Sequence, residues 1–239
     1  MPPLPAAMPV LVTRPAPGGA ETARHLAARG FAPVLAPLLT VQTYARQLPA
    51  PEALRAVLVA SRQAIPALPA LYHGLPLYAV GDATAAAARA AGFRTVHSAQ
   101  GRAEDLARLV GAELPPGGAP LLLATGLNQG ERLKKILQIS GFKIIREEVY
   151  AAHSVTSLPE DAAQMLRQGR GGWVLLFSRE TALCLNRLVR AAGLAENFTR
   201  LRLAAISAPV AEAVQDLPWA RIHVAMDPNE KAVLALLND

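Results

Sequence analysis

Val10-Leu-Val-Thr-Arg-Pro-Ala-Pro-Gly-Gly19 and Leu121-Leu-Leu-Ala-Thr-Gly-Leu-Asn-Gln-Gly130 read alike. Each begins as a short apolar run and breaks into a glycine-containing turn. A helical pattern follows, ending at Gly30-Phe31 in one copy and Gly141-Phe142 in the other, and a second apolar run comes next. A further pair of segments also matches. Val57-Leu-Val-Ala-Ser-Arg62 resembles Val174-Leu-Leu-Phe-Ser-Arg179, and each leads to another strand-turn-helix signal, at Leu77-Tyr-Ala-Val-Gly-Asp82 and Leu203-Ala-Ala-Ile-Ser-Ala208. The copies are interleaved: the first part of one domain, all of a second, then the rest of the first. That order predicts two similar domains, one inserted in the other, with a cleft between them of the kind ligands occupy.

Around these segments, strands alternate with helices through short loops. This pattern means α/β domains with parallel, flavodoxin-like sheets and helices on both faces. Residues 1–38 with 156–239 form domain one, 46–148 form domain two, and 39–45 and 149–155 are linker strands. Strands are predicted over Val10–Thr13, Pro33–Pro37, Ala56–Ala60, Leu77–Val80, Thr95–His97, Leu121–Ala124, Lys143–Tyr150, Trp173–Phe177, Arg202–Ile206 and Ile222–Ala225. A short helix is predicted over Pro51–Arg55 and another opens at Ser61-Arg62, where serine is a favoured N-cap.

The chain has 239 residues, 52% hydrophobic and 18% charged, which excludes a disordered chain. No apolar run approaches the roughly 18 residues that span a bilayer. Met1–Met8 lacks a cationic region before an apolar core and reads as a disordered leader rather than a signal peptide. These features fit a cytoplasmic chain, as does the single cysteine, Cys184, flanked by Leu183 and Leu185 on an apolar helix face. The net charge is +6 and the isoelectric point about 10.0, which favours anionic partners. Basic residues are scattered and aromatics are only 5%, so a small polyanion fits better than nucleic acid or a membrane.

Ligands of open parallel sheets gather outside the carboxyl ends of the strands. Here those ends carry Thr13-Arg14, Ser61-Arg62, Gly81-Asp-Ala-Thr84, Thr125-Gly126, Ser178-Arg179 and Ser207-Ala208. Each precedes a helix, whose free N-terminal amides attract anions. Any one of them alone reads as an N-cap; their repetition at equivalent ends favours substrate binding. No phosphate-loop or dinucleotide motif is present. His25, His73, His97, His153 and His223 are isolated and lack metal spacing, so neither a metal nor a cofactor is expected. Glu104 and Asp105 read as charges beside a helix start, not as a catalytic pair. Tyr150 ends a strand at the domain exit, where a tyrosine either turns its hydroxyl to the cleft or packs its ring at the hinge.

Together, Val10-Leu-Val-Thr-Arg-Pro15, Pro37-Leu-Leu39, Val59-Ala-Ser-Arg62, Ala79-Val-Gly-Asp-Ala-Thr-Ala85, Glu148-Val-Tyr150, Leu176-Phe-Ser-Arg179 and Ala205-Ile-Ser-Ala-Pro-Val-Ala211 resemble the uroporphyrinogen-III synthase family of the haem pathway. The resemblance covers nearly the whole chain after Met8. It implies a cofactor-free lyase that cyclises hydroxymethylbilane, a linear tetrapyrrole with eight carboxylates. Loss of water and a spiro intermediate would invert ring D. It also implies an auxiliary acid at Tyr150, a monomer, and hydroxymethylbilane synthase as supplier of the substrate. Two departures stand out. The family often carries a threonine where this chain has Val210, and an arginine or asparagine where it has Thr125. The alternative is a non-catalytic two-domain module that binds tetrapyrroles or other polyanions.

Overall fold

The computed structural model describes residues 7–44 and 47–238. Most of the leader read over Met1–Met8 lies outside them, as do residues 45 and 46, where the first linker strand is predicted to meet domain two. In chain order the strands are β1 (Pro9–Val12), β2 (Ala32–Leu35), β3 (Leu39–Thr43), β4 (Ala56–Val59), β5 (Leu77–Ala79), β6 (Val96–Ser98), β7 (Leu121–Gly126), β8 (Ile144–Ser154), β9 (Gly172–Leu176), β10 (Leu201–Ala205) and β11 (Arg221–Val224). The α-helices are α1 (Gly18–Ala28), α2 (Asp82–Ala90), α3 (Ala103–Glu113), α4 (Glu131–Ile139), α5 (Glu160–Arg167), α6 (Arg179–Ala191), α7 (Ala208–Glu212) and α8 (Glu230–Ala235).

The chain divides into two units. One runs to Thr40 and resumes at His153; the other is Val41–Ala152. The divisions fall inside β3 and β8, which are hydrogen-bonded neighbours. Their pairing is antiparallel: Val155 N–H donates to Leu38 O at 3.0 Å and Tyr44 N–H to Val149 O at 2.9 Å.

In the first unit the strand order is β2-β1-β9-β10-β11 and every pair is parallel. Val10, Val12, Trp173, Leu175 and Ala204 pack with Leu26 of α1 and Val233 and Leu234 of α8. Leu11, Val174, Leu176, Leu203 and Ala205 pack on the other side against α5, α6 and α7. Burial on both faces is why these strands read as unbroken apolar runs. Cys184 lies in this second layer, 3% exposed.

The second unit repeats the layering. Val57, Val59, Leu77, Ala79, Leu122 and Ala124 face α2, and Ala56, Leu58, Tyr78, Leu121 and Leu123 face α3 and α4. Its order is β8-β7-β4-β5-β6, with β3 added beyond β8. The sequence repeat equates β1 with β7, β9 with β4 and β10 with β5. Each matched strand therefore holds the same place in its sheet. The two units share one spatial order while their chain orders are circularly permuted. Gly30 and Gly141 sit at matching helix ends with φ of 83° and 85°. In both, the glycine N–H reaches back three residues and the following phenylalanine N–H five, closing the same C-terminal motif.

Three elements differ from the sequence reading. The strand read as ending at Tyr150 and the linker strand read over 149–155 are one strand, β8, with Tyr150 in its interior. The helix opened by Ser61 is a 3-10 helix, Arg62–Ala67, containing Pro66. Proline lacks an N–H and its ring clashes with the carbonyl four residues back, so an α-helix cannot pass through it. The helix predicted over Pro51–Arg55 shrinks to a 3-10 turn, Pro51–Ala53.

Candidate functional site

Four of the predicted residues meet in one pocket of the Val41–Ala152 unit: Ser61, Thr125, Gly126 and Tyr150. The pocket has a volume of about 160 Å³ and is completed by Gln129, Gly130 and Arg132 with apolar Ala60, Ala103 and Leu133. Ser61 follows β4 and accepts from Gln63 N–H at 3.3 Å. Thr125 and Gly126 end β7, beside it in the sheet.

Tyr150 reaches the pocket through an irregularity in β8. Thr125 pairs with Glu148, but Gly126 pairs with Tyr150, so Val149 is an extra residue in the ladder. Strict alternation would send Val149 and Tyr150 to opposite faces of the sheet. The bulge lets both pack into one cluster. The Tyr150 ring then lies directly over Gly126. A Cβ there would stand 2.8 Å from Tyr150 Cζ and 3.0 Å from Gln129 Cδ, so only glycine admits the ring. Tyr150 is 4% exposed. Its hydroxyl donates to Gln129 Oε1 at 3.2 Å.

The loop from Leu127 to Gly130 is held from below. Arg146 donates through Nη1 to Gln129 O at 2.8 Å and pairs with Glu148 at 2.9 Å and Glu131 at 2.6 Å. Glu148 in turn accepts from Asn128 N–H at 2.9 Å. Asn128 and Gly130 both take positive φ, 59° and 85°, and a Cβ at Gly130 would collide with Thr125 Cγ2. The Thr125 hydroxyl donates to Glu147 O on β8 at 3.3 Å. Arg132 pairs with Glu104 from an exposed position at the pocket mouth.

Arg62, Gly81 and Thr84 do not line this pocket. Gly81 precedes α2 and its carbonyl accepts from Thr84 and Ala85 N–H at 3.1 and 3.0 Å; Thr84 itself is buried. Asp105, one turn into α3, is held below the usual carboxylate range by the Arg102 N–H it accepts from at 2.7 Å, with Arg108 adding to the effect. It serves as a helix cap, as the adjacent carboxylates suggest.

In the other unit the corresponding corner is closed. The repeat equates Arg14 with Thr125, Gly19 with Gly130, Phe177 with Ala60 and Ser178 with Ser61. Arg14 lies over the Phe177 ring at 4.3 Å and pairs with Glu230 at 2.9 Å. Glu230 also accepts from Thr22 Oγ1 at 3.1 Å and stands 3.0 Å from His25 Nδ1. Thr13 is fully buried and donates to Leu175 O at 2.8 Å. Ser178 caps α6, accepting from Thr181 N–H at 3.1 Å, and Arg179 beside it is exposed. Ser207 precedes α7 without a side-chain cap, with exposed Ala208 after it.

Gln129, Gly130 and Arg132 are additions to the sequence-predicted set. Gln129 and Gly130 belong to the very stretch that marks the repeat, but their use depends on the β8 bulge, which carries no motif.

Among the described residues, no group of three or more His, Cys, Asp and Glu side chains could hold a metal ion, and no helix is long and apolar enough to cross a membrane. A family model described as uroporphyrinogen-III synthase HemD matches residues 20–235. Among solved structures the chain is similar to a uroporphyrinogen-III synthetase from Helicobacter pylori 26695. The two share 17% identity over 97% of this chain and 98% of that one, with a TM-score of 0.63. At that identity the likeness is one of fold. A mutant uroporphyrinogen III synthase from the extremely thermophilic bacterium Thermus thermophilus gives 18% identity over 97% of each chain and a TM-score of 0.49. No curated protein matches the chain.

Proposed function

Because that family model spans residues 20–235, the chain belongs to the uroporphyrinogen-III synthase family, and we infer that it is the lyase that closes hydroxymethylbilane to uroporphyrinogen III. The family match is the observation that carries this activity. The reaction loses water from the hydroxymethyl carbon and leaves an azafulvene cation. Attack by the substituted carbon of ring D forms a spiro intermediate. Its fragmentation and reclosure invert ring D. Unaided closure gives the type I isomer, so the enzyme's task is chiefly one of geometry.

The pocket on the Val41–Ala152 unit is our candidate for the reacting end of the substrate. Tyr150 is its proton donor. The phenol protonates the departing hydroxyl, the C–O bond breaks with its electron pair on oxygen, and water leaves. The proton returns when ring closure releases one from the new macrocycle. Ser61, the backbone at Thr125 and Gly126, and Arg132 at the mouth supply donors for neighbouring carboxylates, and the net charge of +6 draws the polyanion in. Arg62 and Gly81 extend this surface at adjoining strand ends, and Thr84, whose side chain is buried, is proposed to contribute through the start of α2. On the other unit, Arg179, Ser178, Ser207 and Ala208 are proposed contacts through exposed groups and amides. Thr13 and Arg14 contribute through the backbone, because their side chains are engaged internally. We further propose a cytoplasmic monomer that takes its substrate from hydroxymethylbilane synthase.

The test is a coupled assay. Hydroxymethylbilane is generated in place, the protein is added, and the oxidised products are separated by isomer. A shift from type I to type III is expected; type I alone from folded protein would sink the reading.

A further inference from the structure

Tyr150 and Gln129 close over Gly126 from two different elements and meet at 3.2 Å. That separation is long for an O–H···O bond, so the contact is readily exchanged. The fold does not need the Gln129 side chain. Gln129 N–H donates to Gly126 O at 3.0 Å and Gln129 O accepts from Arg146 at 2.8 Å, so the backbone alone pins the residue. The side chain itself is exposed and lines the pocket. A phenol whose proton is given to an amide oxygen cannot give it to a leaving group. A carboxamide, however, carries an acceptor at one end and two donors at the other.

From this juxtaposition we propose that Gln129 is a positioning residue that first holds and then releases the Tyr150 proton, an inference that rests on Tyr150 being the acid described above. At rest the amide oxygen accepts from the phenol and fixes its direction. When the hydroxymethyl group enters the pocket, a half-turn of the amide brings the NH2 group to the phenolic oxygen. The O–H then points to the substrate. As the proton moves to the departing hydroxyl, the amide N–H donates to the phenolate that forms, and hydrogen bonding to the charged form favours it. Ring closure returns the proton and the amide turns back.

The test combines steady-state kinetics with a double-mutant cycle. Gln129→Leu removes both functions of the amide. Gln129→Glu keeps its shape and an acceptor but has no donor when ionised. Each is expected to lower kcat about tenfold, the worth of one hydrogen bond, while KM stays within about twofold. In a Tyr150→Phe background, Gln129→Leu is expected to cost nothing more, because the residue acts through the phenol. Wild-type kcat in Gln129→Leu, or losses that multiply with Tyr150→Phe, would overturn the proposal while leaving Tyr150 as the acid. Wild-type kcat in Gln129→Glu would overturn the release step. An unchanged rate in Tyr150→Phe alone would instead remove the underlying reading of Tyr150.

Discussion

At Gly126 a hydrogen atom stands where any other residue would set a carbon against the Tyr150 ring. Gly126→Ala is expected to lower turnover sharply and to cost about 1–3 kcal/mol, the usual range for overpacking; denaturant melts and the isomer assay read the two effects separately. Arg14 and Arg179 give a second contrast. Removing the Arg14–Glu230 pair by Arg14→Leu is expected to cost about 1 kcal/mol with KM unchanged. Arg179→Ala should raise KM and leave the melting temperature in place. The reverse pattern would make Arg14 the substrate contact. Tyr78 sets a pH window. Burial, reinforced by Glu113, pushes its hydroxyl up to about 12 from 10.0. The folded state therefore keeps a proton that the unfolded chain loses first. Stability from this group is complete below pH 10 and lost as the pH climbs through about 12. Tyr78→Phe should flatten that part of a stability-versus-pH curve. Tyr150 was legible as a candidate, but not its setting: the sequence reads it as the end of a strand, whereas β8 continues past it to Ser154 and a bulge, not a strand end, turns it to the pocket. The partnership of Arg14 with Glu230 was not legible either, since 216 positions separate them and no local pattern records it.

At the scale of elements, repetition made the strands readable. Buried apolar runs, each ended by a turn signal, made β1, β4, β7 and β9 the plainest; the outer strands β6 and β11 are half-buried or exposed and carry a weaker pattern, and β3 lies within the linker strand read over 39–45. The helices were less uniform. Ser178 caps α6 with its hydroxyl, whereas Ser207 does not cap α7. Ser178→Ala is accordingly expected to lower stability by about 1 kcal/mol, and Ser207→Ala by much less, as thermal unfolding would show. The 3-10 helix after Ser61 was hidden because helical spacing masked the veto of Pro66. The β8 bulge was hidden because an extra residue in a ladder leaves no trace in an apolar pattern. That bulge is what carries Tyr150 to its pocket, so the least legible feature of the strand is the one closest to the chemistry.

At the scale of the whole molecule, the sheets share one spatial order reached by two chain orders. The unit formed by Val41–Ala152 is continuous, while its counterpart is assembled from two separated stretches. A fragment spanning residues 39–154 is therefore expected to unfold cooperatively by itself, a result that circular dichroism during a urea titration would reveal; a featureless slope would show that the second unit depends on the first. The same interleaving dictates an order of birth. A ribosome delivers β1, α1 and β2 before the inserted unit, yet β9, the strand that flanks β1 on its other side, emerges only after all of it. At roughly 5–20 residues per second that interval is on the order of ten seconds. Throughout it, Val10, Leu11 and Val12, all fully buried in the finished protein, have half a sheet to hide in. What is made before the insertion is sheltered only after it, and the nascent chain is a client for chaperones across that whole delay.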